Sequence, residues 1–246
     1  MLALQGKVAL VTGGSRGIGA GIAERLAADG ADVAITYNTA AHRADGVVAK
    51  IKDTGRRGLA LAAPATDPAA VTEAVEQTVA ELGQLDILIN NAGIFTYGPI
   101  DELTLEQFEE TLAVHVRAVF VAVQAAVKHL PESGRIISIG SNLAERVPGP
   151  GLSLYALSKS ALVGFTKGLA RDLGPRGITA NVVHPGSTDT DMNPADGEIA
   201  DAERARTALG RYGTTADVAG MVAYLASEAG RNITGTSITV DGGANA

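Results

Sequence analysis

Short runs of apolar, β-favouring residues alternate with longer segments of helical periodicity along the whole chain, and this alternation narrows the possible folds more than any other feature. Lys7–Thr12, Asp32–Thr36, Gly58–Leu61, Ile87–Asn90, Arg135–Ile139, Thr179–His184 and Ser237–Val240 read as strands. Most are nearly continuous apolar runs, as expected of strands covered on both faces. Residues 19–29, 40–54, 68–82, 104–129, 153–173 and 215–226 read as helices. Strand-helix alternation of this kind predicts a parallel sheet with crossover helices. The 246 residues fit one domain, and 46 % apolar composition supplies a large core. The exception to the alternation is 187–210, rich in Asp, Pro and Gly, which reads as a lid over a site.

Composition removes several functional classes. With no cysteine, disulfides, thiolate catalysis and thiolate metal sites are out, and four scattered histidines argue against a zinc site. A net charge of −7 disfavours nucleic acid and anionic membrane as partners. The first residues run directly into a strand without a signal-peptide pattern, and no stretch approaches the ~20 apolar residues of a membrane span. The expectation is a cytoplasmic protein.

The first strand ends in Thr12-Gly-Gly-Ser-Arg-Gly-Ile-Gly19, which opens a helix. Gly13, Gly17 and Gly19 permit a tight turn and close approach of backbone to a pyrophosphate, and the helix start offers free N–H groups. This placement predicts a dinucleotide site on a doubly wound, seven-stranded, Rossmann-type α/β sheet. Arg16 within the turn suits the extra phosphate of NADP(H). NAD-selective sites usually carry a carboxylate after the second strand, whereas here Tyr37-Asn38 follows and no acid appears before Asp45. NADP(H) is therefore favoured over NAD(H).

Tyr155 and Lys159 stand one helical turn apart and share a face. A nearby cation favours phenolate, so Lys159 is expected to lower the Tyr155 pKa and fit it for proton exchange with a carbonyl or alcohol oxygen. Ser141, just after the fifth strand, could donate to the same oxygen. Ser138 competes for that role, but strand alternation favours burying it.

Thr12–Gly19, Asn90-Asn-Ala-Gly93, Ser141, Tyr155, Lys159 and Pro185-Gly186 occur in an order and spacing that resembles the short-chain dehydrogenase/reductases over essentially the whole chain. Gly134–Ser141 looks most similar to the 3-oxoacyl-(acyl-carrier-protein) reductase branch. The resemblance implies Tyr155 as general acid/base, Lys159 holding the nicotinamide ribose, and Ser141 orienting the substrate oxygen. It places Ser15, Ile18, Ala65, Asn91, Ala92 and Gly93 along the dinucleotide and Pro185, Gly186, Thr188 and Thr190 around the nicotinamide. It also implies a homo-oligomer, commonly a tetramer. Ser160, Gly164 and Gly168 form a strip of small residues that could admit another helix or pack on the chain's own sheet.

Two positions depart from the family pattern. His115 stands where an asparagine usually holds a water of the proton relay, so it is a candidate relay group whose titration would add a pH inflection near ~6–7, or else a packing residue. Pro64 stands where an aspartate usually faces adenine. Phe95, Tyr97, Leu143 and Val147 suggest a partly apolar substrate pocket, with Arg146, Arg204 and Arg206 available to an anion. The expected function is reduction of a small-molecule ketone. A second reading is a nucleotide-binding regulator of the same fold, for example for cyclic dinucleotides. Arg135–Ser141, Leu169–Asn181 and Asn193-Pro-Ala-Asp-Gly197 are similar to that branch.

Overall fold

A computed structural model describes residues 2–246. Seven strands form one parallel sheet: β1 Val8–Val11, β2 Asp32–Tyr37, β3 Gly58–Ala62, β4 Ile87–Asn90, β5 Arg135–Ile139, β6 Thr179–Pro185 and β7 Ser237–Val240. Their order is β3-β2-β1-β4-β5-β6-β7. Each strand lies within a residue or so of its sequence-based position. Alternate residues of a strand serve opposite faces: Ala9 and Val11 join one core, Val8 and Leu10 the other. The first core packs beneath α1 Gly17–Ala28, α2 Ala41–Asp53 and α8 Thr215–Ala226. The second packs beneath α3 Pro68–Leu82, α5 Ala118–Ala126 and α6 Ser153–Leu173. This is a single Rossmann-type domain. The strand order reverses between β1 and β4, so a crevice opens at their carboxyl ends, where such sheets bind ligands.

Local chemistry sets the helix ends. Asp67 caps α3 by accepting the N–H groups of Ala69 and Ala70, Pro68 opens it, and Gly83 ends it at φ 88°. Thr104 and Gln107 form a capping box for α4 Leu105–Leu112, as do Thr214 and Asp217 for α8.

The structure corrects two expectations. The segment 104–129 is helical over Leu105–Ala126 as expected, but not α-helical throughout: between α4 and α5 lies a wider π turn, Ala113–Arg117, with His115 at its centre. Such turns insert a residue into the helical register and often sit at functional sites. Residues 187–210 are not irregular throughout, because α7 Ala200–Arg206 lies among them. Acids at its start (Asp201, Glu203) and bases at its end (Arg204, Arg206) match the helix dipole.

Candidate active site

A cleft of about 1480 Å3 runs along the carboxyl ends of the strands. Its walls contain every residue expected to bind cofactor and also Ser141, Tyr155 and Lys159; His115 is behind them. At one end, Gly13 turns at φ 65°, and a Cβ there would stand 2.8 Å from the Cα of Ala92. A Cβ on Gly19 would collide with the Asn91 amide and the Gly13 carbonyl. A Cβ on Gly17, at φ 55°, would meet only the Thr190 side chain, at 3.5 Å. Arg16 precedes α1, and no side chain caps the helix. The first N–H groups of α1 are thus left for a ligand, and the backbone can come close to it. These features fit a dinucleotide pyrophosphate.

The Asn90-Asn-Ala-Gly93 stretch clasps this turn. Asn91 Nδ2 donates to the carbonyls of Thr12 and Gly13 at 2.9 and 3.0 Å. Thr12 Oγ1 accepts the N–H groups of Asn91 and Ala92. The reversal of strand order brings the ends of β1 and β4 side by side, which makes these contacts possible. Pro64 is absent from the cleft wall, and the nearby acid Asp67 is engaged in capping α3.

At the other end, α6 presents Tyr155 and Lys159 one turn apart. Lys159 is 5 % exposed; its Nζ donates to the Ile139 carbonyl at 3.1 Å and lies 5.7 Å from the Tyr155 ring centroid. Burial pushes the ammonium down to about 8. Burial also pushes the phenol up to about 12, with the Ser141 hydroxyl working in the opposite direction. The expected lowering of the Tyr155 pKa by Lys159 is therefore corrected. Desolvation of the phenolate dominates, and the phenol keeps its proton at neutral pH. Ser138 is buried in β5 beside Asn90, whereas Ser141 reaches the cleft.

His115 directs both of its ring nitrogens at protein groups. Its Nε2 accepts the N–H of Ile94 at 3.0 Å, so Nδ1 carries the proton and faces Ser158 Oγ at 2.8 Å. Ser158 in turn donates to the Tyr155 carbonyl at 2.7 Å. Burial, with Lys159 nearby, holds the imidazole down at about 3. Both ring nitrogens are thus engaged by the protein, and burial favours the neutral ring. His115 ties the loop after β4 to the helix that carries Tyr155.

Sequence reasoning missed a second buried histidine. His184 Nδ1 accepts the N–H of Ser141 at 3.0 Å and so places that residue at the cleft. Its ring occupies space that a side chain at residue 140 would need, which is why a glycine stands there. The available signal was Gly140 opposite His184, immediately before Pro185-Gly186.

Aromatic rings frame the mouth. Phe95 meets Tyr155 edge-on at 5.0 Å between centroids and stacks with Tyr97 at 6.5 Å. Met192 and Ile199, from the segment after β6, line the same cleft, as do Leu143, Arg146 and Arg206. Val147 and Arg204 do not. Arg204 pairs with Asp201 at 2.7 Å and lies over the Tyr212 ring.

A family model described as "Enoyl-(Acyl carrier protein) reductase" matches residues 13–245. The chain is 64 % identical to a short-chain dehydrogenase from Burkholderia cenocepacia solved with NADP, with a TM-score of 0.98 over 99 % of this chain and 100 % of that one. It is 58 % identical to a blue fluorescent protein from a metagenomic library solved with NADPH, with a TM-score of 0.97 and the same coverages. The cyclic-di-GMP-binding biofilm dispersal mediator protein of Escherichia coli K12 is 44 % identical over 242 residues, 98 % of each chain. With matches spanning nearly its full length and a glycine turn, clasp and Tyr155–Lys159 pair in one cleft, the chain belongs to the short-chain dehydrogenase/reductase family.

Proposed function

We propose that this protein is an NADP(H)-dependent ketoreductase that converts a small-molecule ketone to an alcohol. The observation that carries the reading is the half-buried Tyr155 phenol on the cleft wall, its pKa pushed up by desolvation, with the Ser141 hydroxyl beside it and the buried Lys159 ammonium 5.7 Å from its ring. Carbonyl reduction needs a proton donor at the oxygen, and a phenol held at about 12 is in its donor form at neutral pH. Bound NADPH supplies the hydride to the carbonyl carbon. Ser141 donates to the substrate oxygen and orients it. Tyr155 transfers its proton to that oxygen, and the Lys159 ammonium stabilises the phenolate left behind. The glycine turn would hold the pyrophosphate and Arg16 the 2′-phosphate. Pro185, Gly186, Thr188 and Thr190 would surround the nicotinamide, with Lys159 on its ribose. The NADP and NADPH complexes of the 64 % and 58 % identical relatives support this cofactor. Phe95, Tyr97, Met192 and Ile199 favour ketones with an apolar or aromatic substituent.

Residues 187–210 act as a lid over the substrate end. The protein also forms a homo-oligomer through the α5–α6 face. A Cβ on Gly164 or Gly168 would meet no atom within 4 Å, so these glycines do not pack on the chain's own sheet, and the adjoining Phe120 is 51 % exposed.

The cyclic-di-GMP-binding relative favours a second reading, a nucleotide-binding regulator with little turnover. One assay separates the two. NADPH oxidation is followed over a panel of aryl ketones, β-ketoesters and an acyl thioester, alongside direct titration with cyclic di-GMP. Turnover of a ketone supports the reductase; tight cyclic-di-GMP binding with no turnover on any carbonyl overturns it.

A further inference from the structure

Arg16 on the cleft wall and Arg43 just outside it converge on one carboxylate of the cleft, Asp191. Arg16 lies in the glycine turn, and Arg43 in the first turn of α2, just beyond Tyr37-Asn38. Asp191 belongs to the segment after β6. Its Oδ2 pairs with Arg43 Nη1 and lies 4.0 Å from Arg16 Nη1. Among the described residues, no other carboxylate comes within 4.0 Å of either guanidinium. All three side chains are about half exposed, so the bridge is readily exchanged. The Arg43 hydrogen bond, above all, holds the Asp191 carboxyl below its usual range. The methyl of Thr190, the preceding residue, stands 3.5 Å from where a Cβ on Gly17 would lie, facing the glycine turn. The bridge thus spans the groove that the dinucleotide would enter.

We propose that Asp191 is a built-in competitor for the subsite of the 2′-phosphate, and that Arg43 is the second cation of that subsite beside Arg16. A carboxylate carries one negative charge, whereas a phosphate monoester carries about two and offers three acceptor oxygens. Two guanidiniums therefore suit the phosphate better than they suit Asp191. NADPH displaces the carboxylate from the arginines, but NADH has no group to do so and leaves the bridge closed. Asp191 thereby lowers affinity for the phosphorylated cofactor, and phosphate binding frees the segment after β6 from the glycine-turn wall.

The inference rests on the proposed binding of NADP(H), and the experiment tests the two separately. Dissociation constants are measured by calorimetry for NADPH, NADH, adenosine 2′,5′-bisphosphate and AMP. The proteins are the parent, Asp191→Asn, Arg43→Ala and the double variant. Asp191→Asn should bind NADPH and the bisphosphate about two- to fivefold more tightly, with NADH and AMP unchanged. Arg43→Ala should weaken the two phosphorylated ligands by a similar factor and spare the other two. In the double variant the gain from Asp191→Asn should shrink, because its main partner is gone. A parent that binds neither NADPH nor the bisphosphate defeats the cofactor reading. If the parent binds both, the competitor role is overturned by an Asp191→Asn variant with unchanged or weaker affinity for the bisphosphate. An Arg43→Ala variant that loses NADH and NADPH affinity alike overturns the assignment of Arg43.

Discussion

The floor of the cleft and its rim are held by different means. On the floor, Lys159, His115 and His184 are almost fully buried, and each is fixed by a hydrogen bond to backbone or to a side chain that is itself bonded. On the rim, Arg16, Arg43, Asp191, Phe95 and Tyr97 are about half exposed or more, and the charges there pair across solvent. Groups that move a proton gain from a dry, preorganised setting, because desolvation sets their pKa values and tight packing sets their aim. Groups that select a ligand gain from being exchangeable. The contrast predicts large effects from floor substitutions and small, ligand-specific effects from rim substitutions.

Tyr155→Phe should show the largest effect, since it removes the proton donor and keeps the ring. We expect kcat to fall about 10²- to 10⁴-fold while the dissociation constant for NADPH stays within about twofold. Steady-state kinetics and a binding titration decide this, and substantial residual turnover would move the acid role to another group.

The pH dependence sharpens the picture of the floor. Below its pKa of about 8 Lys159 is charged, so kcat/KM for NADPH should decline as pH rises through about 8. With His115 held at about 3, no inflection should appear near the ordinary histidine range. An inflection at about pH 6–7 would return His115 to the relay. Stability provides an independent check. The folded-state pKa of His115 is depressed, so its contribution is present above the unfolded value of about 6.5 and is lost as pH falls towards about 3. His115→Asn should flatten that part of the melting temperature–pH curve.

His115→Leu leaves the Ile94 N–H without its acceptor and removes the ring contact with Ser158. A buried donor left unpaired costs about 1–3 kcal/mol. The melting temperature should therefore rank parent, then Asn, then Leu. A Leu variant as stable as the parent would reduce His115 to a space-filler.

Arg16→Ala tests the rim with the smallest expected effect. A half-exposed contact to phosphate is worth about 1 kcal/mol, so NADPH should bind about fivefold more weakly and NADH should be unaffected. Equal affinity of the parent for NADPH and NADH would break the rim's selective role.

The sheet was legible in the sequence because its strands are buried on both faces. Such strands must be short and continuously apolar, and the crossover helices must be periodic between them. That the glycine turn and the Tyr155–Lys159 pair would meet in one cleft was legible for a related reason. Gly13 and Gly19 fill a turn that a Cβ would obstruct, Gly17 takes a left-handed backbone at φ 55°, and Tyr155 and Lys159 are local partners on one helix. The π turn at Ala113–Arg117 and the helix Ala200–Arg206 were not legible, since in both cases helical propensity was read without the packing that sets register. The outcome at His115 depended on Ile94 and Ser158, and that at Ser141 on His184, 43 residues away. The sequence by itself determined the order of strands and helices and which residue types would meet at the strand ends. Only the tertiary structure decided that burial raises the Tyr155 pKa and lowers that of His115, that His115 is doubly bonded, and that Asp191 bridges Arg16 and Arg43. Desolvation and long-range pairing set those properties, and both exist only once distant segments have packed together.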